Sequence, residues 1–263
     1  MRICAVIPAA GASRRFGLGD KLGQDLGGRA LLLRTVELFT KRDEVSAIVV
    51  AGPADEDDFE QFRERYGAQL GFHGVRIVPG GRIERWETVK LALAAVPEDA
   101  THIAVHDAAR PAASDELIDR IFEAAKVHDA VIPGLTVTAT VKRVSEATVT
   151  AAEDDALASA ILGDAGSEAV SARVVEATLP RDRLVLVQTP QVFAADLLRR
   201  AYAEIDPAGT TDDSSVVERL GEAVVVVEGD PRNIKVTTPE DLAMVRSLLG
   251  ARPPAERPAH KRF

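Results

Sequence analysis

Apolar residues in this chain fall in short runs, and the stretches between them carry helical spacing. Ile3 to Ile7, Ala47 to Val50, Val75 to Val78, Ile103 to Val105 and Ala130 to Pro133 read as strands. Ala30 to Phe39, Asp55 to Tyr66, Arg85 to Val96 and Asp115 to Lys126 read as the helices between them. The second of these is a charged surface helix, and the third is expected to turn Leu91, Leu93 and Ala94 inward. Strands alternating with helices in this way predict an α/β fold, a Rossmann-like and mostly parallel sheet with helices on both faces.

The rhythm changes after Pro133. Thr136 to Val144 alternates with period two, which predicts an extended β-arm leaving the sheet. Ser145 to Glu176 is rich in Ala, Ser, Asp and Glu and reads as a solvated insertion, with a short helix near Asp155 to Leu162 and a flexible loop at Gly163 to Gly166. Leu184 to Val187 and Ala223 to Val227 resume strand character, and Ala194 to Ile205 and Pro239 to Leu249 are helical. Residues 1–249 are thus expected to form a single domain, with arm and insertion at about 136–183, and residues 250–263 a flexible tail.

Composition narrows the function classes. Of 263 residues, 46% are hydrophobic and 28% charged, enough apolar surface for a sizeable core. A formal net charge of -9 argues against nucleic acid or an anionic membrane as partner, while leaving room for a local basic pocket. No apolar run approaches the length of a membrane span, and the first is too short for a secretory signal. The single cysteine, Cys4, lies in an apolar run; it reads as a buried, inert thiol and fits a cytoplasmic protein.

Three loops carry candidate chemistry. Pro8-Ala9-Ala10-Gly11-Ala12-Ser13-Arg14-Arg15-Phe16, followed by Lys21, leaves the first strand at the edge where such sheets bind ligands. Small residues let backbone N–H groups approach phosphates, and the cations can neutralise them. The loop is neither a Walker A sequence nor G-x-G-x-x-G, and alone it reads equally well as a tight turn with solvated arginines. His106-Asp107-Ala108-Ala109-Arg110-Pro111 closes another strand at the same edge. Asp107 there could meet a metal ion or a substrate hydroxyl, or cap the next turn, and His106 reads as a structural histidine. In Asn233 to Asp241, Thr238 and Pro239 predict an N-cap and first helical turn, which leaves Lys235, between apolar neighbours in a short strand, facing solvent or an anion.

Taken in order, the three loops resemble the 2-C-methyl-D-erythritol 4-phosphate cytidylyltransferase family of isoprenoid biosynthesis, over about residues 2–248. Gly81 to Arg85 with Thr88-Val89, Thr140-Val141-Lys142-Arg143, Thr189-Pro190-Gln191 and Thr211-Asp212-Asp213 extend the match. The resemblance implies transfer of the cytidylyl group of CTP to a polyol phosphate by a homodimer with shared active sites, the β-arm serving dimerisation. It implies that Arg15 and Lys21 stabilise charge at the α-phosphate, and that Arg181 and Lys235 position the methylerythritol phosphate. Ala9, Ala10, Gly11, Gly81 and Thr88 would line the nucleotide pocket; Asp107, Arg110, Thr140 and Thr189 would contact the second substrate. Magnesium would be held mainly by the triphosphate, with no protein metal ligand assigned.

The chain departs from the family pattern in places. Ala139 stands where an aspartate is usual, Asp20 where a proline is usual, and one extra residue separates Gly80-Gly81 from Arg85. The stretch between Arg143 and Arg181 is roughly two dozen residues longer than the family's connection. Beyond it, Arg183 competes with Arg181 for the positioning role. The competing functions are a ribitol-5-phosphate cytidylyltransferase and a catalytically silent nucleotide-binding regulatory module. Trp86 reads as a packing or pocket-edge residue, and Thr211-Asp212-Asp213 as the cap of a helix toward Leu220.

Overall fold

A computed structural model describes residues 1–11, 16–17, 19–151 and 170–251. The chain forms two compact units, Met1–Leu135 with Val187–Phe263, and Thr136–Leu186. Along the chain run β1 (Ile3–Pro8), α1 (Leu31–Thr40), β2 (Val45–Gly52), α2 (Glu56–Phe72), β3 (Arg76–Pro79), α3 (Arg85–Leu93), β4 (His102–Val105), α4 (Asp115–Ala125) and β5 (Ala130–Thr136). There follow β6 (Val141–Ala151), β7 (Val170–Leu179), β8 (Val185–Val187), β9 (Gln191–Ala194), α5 (Ala195–Glu204), α6 (Ser214–Arg219), β10 (Val225–Glu228) and α7 (Pro239–Leu248).

In the first unit the sheet runs β10-β5-β9-β4-β1-β2-β3. Every neighbouring pair is parallel except those of β9, which lies antiparallel between β4 and β5. The mostly parallel α/β sheet expected from the alternation is therefore present. β9 is the strand of this sheet that the pattern missed: four residues joined directly to α5 carry too short a signal to separate from the helix.

The central strand shows why the sheet must be covered on both sides. Along β1, Ile3, Ala5 and Ile7 join one core cluster with Leu31, Val36 and Phe39 of α1 and Ile121 and Phe122 of α4. Cys4 and Val6 point the other way, into a cluster with Val89 and Ala92 of α3, Leu198 of α5 and Val216 of α6. Successive side chains alternate across a strand, so a continuous apolar run needs two apolar partners. Each fully buried side chain of this size contributes about 1.5–3 kcal/mol. Burial pushes the Cys4 thiol up to about 12, as expected for an inert cysteine.

Some sequence expectations change. α2 continues past Tyr66 to Phe72 because Leu70, fully buried, holds its last turn against the core despite Gly67 and Gly71. Leu91 is 51% exposed and Ala94 is exposed too; α3 instead buries Thr88, Val89, Ala92 and Leu93. The second unit is a two-stranded antiparallel ribbon of β6 and β7, Val141 facing Leu179 and Ala151 facing Val170. Strand therefore occupies Ser145 to Ala151 and Val170 to Glu176, where irregular structure was expected. The helix expected at Asp155 to Leu162, the loop at Gly163 to Gly166 and the tail beyond Ala251 lie outside the described residues. Among those described, no helix is long and apolar enough to cross a membrane.

Candidate active site

β1 sits where the sheet's connections part, to β2 on one side and β4 on the other, so the loops after β1 and β4 diverge and open a crevice at the carboxyl edge. Its walls need small residues. A Cβ on Gly80 would lie 2.6 Å from the Gly52 carbonyl and 2.9 Å from the Ala10 Cβ, so only glycine lets the loop after β3 approach the loop after β1. Gly81 N–H donates to Thr88 Oγ1 at 3.0 Å. The N–H groups of Arg82 and Ile83 donate to Glu87 Oε2 at 3.0 and 2.9 Å. The first turn of α3 thereby fastens this loop, including its extra residue. The result is a cleft of about 480 Å³ lined by Ala9, Ala10, Gly11, Lys21, Gly81 and Thr88, with Asp107 and Lys235 at its charged end.

A second cleft of about 320 Å³ adjoins it, lined among others by Arg110, Thr189, Gln191 and Asp212. Arg85, Asp107 and Lys235 belong to both. Asp107 is the hub of this wall: its carboxylate lies 2.9 Å from Lys235 Nζ, 3.1 Å from Arg85 Nε and 3.4 Å from Arg110 Nε. Burial alone would raise its pKa, but Arg85, Lys235 and Arg110 together hold it well below the usual carboxylate range. Asp107 is thus a fixed anion in a basic cluster, not a proton donor. Burial also works against the charge on Arg85, and Asp213 and Asp107 overcome it, holding the guanidinium above its ordinary range. Arg85 Nη1 lies 2.8 Å from Asp213, which is fully buried and accepts a 2.6 Å hydrogen bond from Tyr202.

Polar bonds lock the loop after β4. His106 is fully buried and its pKa falls to about 4, burial being the main cause, so the ring is neutral at pH 7. Its Nε2 donates to the Arg110 carbonyl at 3.0 Å, which leaves Nδ1 to accept from Thr189 Oγ1 at 3.2 Å. Thr189 Oγ1 in turn accepts the Asp107 N–H at 3.0 Å. His106 is the structural histidine expected.

Lys235 is not in a strand, contrary to the sequence reading. Its segment has no regular secondary structure and pairs with no strand; Val236 N–H donates to the Ala109 carbonyl at 2.8 Å, and the Asn233 carbonyl accepts from Arg110 at 2.7 Å. The expected cap follows directly: Thr238 and Asp241 form a capping box with Pro239 in the first turn of α7. Of the acidic pair at the start of α6, Asp212 caps as anticipated, accepting from Ser215 N at 3.1 Å, whereas Asp213 serves Arg85 instead.

The sequence profile of the 2-C-methyl-D-erythritol 4-phosphate cytidylyltransferase family matches residues 3–163 and 149–251. The chain belongs to this family. The Solibacter usitatus protein named as a 2-C-methyl-D-erythritol 4-phosphate cytidylyltransferase is 36% identical over 259 residues, covering 95% of this chain and 96% of that protein. The Frankia casuarinae protein of the same name is 38% identical over 257 residues, 97% of this chain and 84% of its own. The crystal structure of the Thermus thermophilus enzyme matches with a TM-score of 0.67 at 28% identity, covering 95% of this chain and all of that one (100%).

Set against the cytidylyltransferase family's pattern, the first unit gathers Ala9, Ala10, Gly11, Lys21, Gly81, Thr88, Asp107 and Lys235 around one cleft, and adds Arg110 and Thr189 at the next. Arg15 lies outside the described residues. Thr140, Arg181 and Arg183 lie in the second unit, and all three are exposed; Arg181 Nη1 donates to the Thr138 carbonyl there. Sequence reasoning gave Arg85 no role and read Asp213 as a cap. A polar residue placed like a helix cap gives no sign that it is fully buried, and its distant partner shows only in three dimensions.

Proposed function

We propose that this chain transfers the cytidylyl group of CTP to 2-C-methyl-D-erythritol 4-phosphate, giving 4-diphosphocytidyl-2-C-methyl-D-erythritol and pyrophosphate. The observation that carries the reading is the pair of adjoining clefts with a common wall of Arg85, Asp107 and Lys235. Two phosphorylated substrates must meet across a boundary that is cationic yet does not repel itself, and this wall supplies it. CTP occupies the first cleft, against Ala9, Ala10, Gly11, Gly81 and Thr88. The polyol phosphate occupies the second, near Asp107, Arg110 and Thr189, with Thr140 contributed by the arm of a second copy of the chain.

A phosphate oxygen of the polyol phosphate attacks the α-phosphorus in line, a new phosphorus–oxygen bond forms, and the bond to the β-phosphate oxygen breaks, releasing pyrophosphate. The attacking oxygen is already ionised at neutral pH, so no general base is needed, and neutral His106, with both ring nitrogens engaged, is not one. Arg15 and Lys21 stabilise charge growing on the α-phosphate, while Lys235 and, from a second copy of the chain, Arg181 hold the attacking phosphate. Among the described residues no group of three His, Cys, Asp or Glu side chains could cage a metal ion, and Asp107 is surrounded by cations. Magnesium held mainly by the triphosphate, as the family resemblance implies, would neutralise charge on the leaving pyrophosphate. The test is pyrophosphate release with CTP and either methylerythritol phosphate or ribitol 5-phosphate. Faster turnover of the ribitol compound, or CTP binding with no release, would replace this reading with one of its competitors.

The same reading places the protein in the cytoplasm as a homodimer whose arms complete the partner's site. The exposed Val174, Val175, Leu184, Val185 and Leu186 of the second unit support an arm that a second copy covers. Refolding inactive Arg181→Ala and Lys235→Ala variants together should restore about a quarter of the sites if the two residues serve one site from different subunits. No recovery despite proven subunit exchange would place Arg181 in its own subunit's site, or give its role to Arg183.

A further inference from the structure

Lys21 sits in a short loop whose course is set from both sides by the carboxylate next to it. Asp20 Oδ2 accepts a 2.5 Å hydrogen bond from the Tyr66 hydroxyl and lies 2.6 Å from Arg65 Nη1. Its Oδ1 accepts the Leu22 N–H at 3.0 Å, and its carbonyl accepts from Gln24 Nε2 at 3.1 Å. The residues before and after Lys21 are thus tied to each other, and through Asp20 to α2. The anchor on α2 is rigid. Tyr66 is buried, its ring packs 4.9 Å from that of Phe62, and the Arg65 guanidinium lies 5.5 Å from the Tyr66 ring centre. Burial, then the bond to Asp20, raises the Tyr66 pKa, so the phenol remains a donor at neutral pH. The loop also leaves room for the pair: a Cβ on Gly23 would lie 2.2 Å from Arg65 Nη2 and 2.7 Å from Asp20 Oδ2.

We propose that Asp20, Tyr66 and Arg65 form a clamp that fixes the Lys21 backbone for nucleotidyl transfer, Asp20 and Tyr66 being positioning residues that act through Lys21. This rests on the assignment of Lys21 to the α-phosphate. A cation that stabilises a transition state must hold its place to a fraction of an ångström, and a misplacement of about 1 Å costs up to about a hundredfold in rate. The clamp provides that precision with side-chain bonds; a proline at position 20 would stiffen the same backbone with its ring, and the Asp20 N–H donates none of the described hydrogen bonds.

The test is a cycle of full-length parent, Tyr66→Phe, Lys21→Ala and the double variant. Pyrophosphate release is measured with CTP and methylerythritol phosphate and normalised to the folded fraction from circular dichroism. Tyr66→Phe is expected to lower kcat about tenfold with KM for the polyol phosphate unchanged. Lys21→Ala should lower kcat about a hundredfold or more, and adding Tyr66→Phe should do no further harm, since a clamp acting only on Lys21 has nothing left to hold. Asp20→Ala should match Tyr66→Phe, and Asp20→Pro should recover most of the loss. If Tyr66→Phe equals the parent while Lys21→Ala is impaired, or if the two losses multiply, the clamp is refuted and Lys21 keeps its role. If Lys21→Ala turns over like the parent, the assignment of Lys21 fails, and the clamp loses its purpose with it.

Discussion

Replacing Asp107 with asparagine keeps the shape of the hub and removes its charge, leaving Arg85, Arg110 and Lys235 facing one another. Each lies within 3.4 Å of the carboxylate, and the Asp107 side chain is only 9% exposed. Removing one partner of a buried ion pair costs about 3–5 kcal/mol. Lys235 is 40% exposed and well screened by water, which puts the expected loss near the lower end, about 3 kcal/mol. For a chain of this size that is a drop in Tm of roughly 6–12 °C. The pH dependence has a definite sign. The folded-state pKa of Asp107 is depressed, so its contribution is complete above the unfolded value of 3.8 and is lost as pH falls below that. The gap between parent and Asp107→Asn should therefore be widest near pH 7 and shrink as urea melts are carried below pH 4. Added pyrophosphate should raise the Tm of Asp107→Asn more than that of the parent, because the uncompensated cations gain an anion. A variant within about 0.5 kcal/mol of the parent, or a gap that widens in acid, would refute the hub.

The lowered pKa of His106 makes a second test of the same sign in a higher pH window, because an unfolded histidine takes up a proton between pH 6.5 and about 4 that the folded one refuses. Parent stability relative to His106→Gln should fall across that window by up to about 3 kcal/mol, and a flat difference in urea melts would show the ring titrating freely. Thr189→Val removes the acceptor for Asp107 N–H and the donor to His106, and should cost about 1–3 kcal/mol in the same melts. Gly80→Ala pushes a methyl against the Gly52 carbonyl and should lower both Tm and CTP affinity, the latter read by calorimetry; unchanged CTP affinity would mean that the two loops are free to part.

How much the sequence revealed depended on how local each signal was. The apolar runs of β1 and β2 and the N-cap at Thr238 are local, and the structure forms them where the pattern puts them. The ligand edge was legible too, since a loop that leaves a parallel strand must open there. β9 was lost because an antiparallel strand inserted between β4 and β5 is a matter of topology, and its four residues run straight into a helix. Lys235 was singled out as facing solvent or an anion, and the pattern could not choose between them because its partner Asp107 lies far away in sequence. Arg85 and Asp213 were harder still. A half-buried arginine held by two carboxylates looks, in sequence, like a surface arginine near a glycine loop and an aspartate near a helix start.

The arrangement of Asp107 answers a difficulty that every site for two phosphorylated substrates faces. Cations close enough to grip a triphosphate and a second phosphate repel each other before either arrives, and long side chains under repulsion swing into solvent. A neutral site would avoid the repulsion and lose the grip. Asp107 resolves this by pairing with three cations at once, while Asp213 takes a second donor of Arg85 from the interior. The five groups still sum to a positive charge, three cations against two anions, so a phosphate entering the proposed site would be attracted. It finds donors already in place and need not order them itself, which is the condition under which electrostatic stabilisation contributes most to rate. The three cations secure the charge in turn, because burial alone would raise the Asp107 pKa, and a carboxyl group that took up a proton would release Lys235, the cation assigned here to the attacking phosphate.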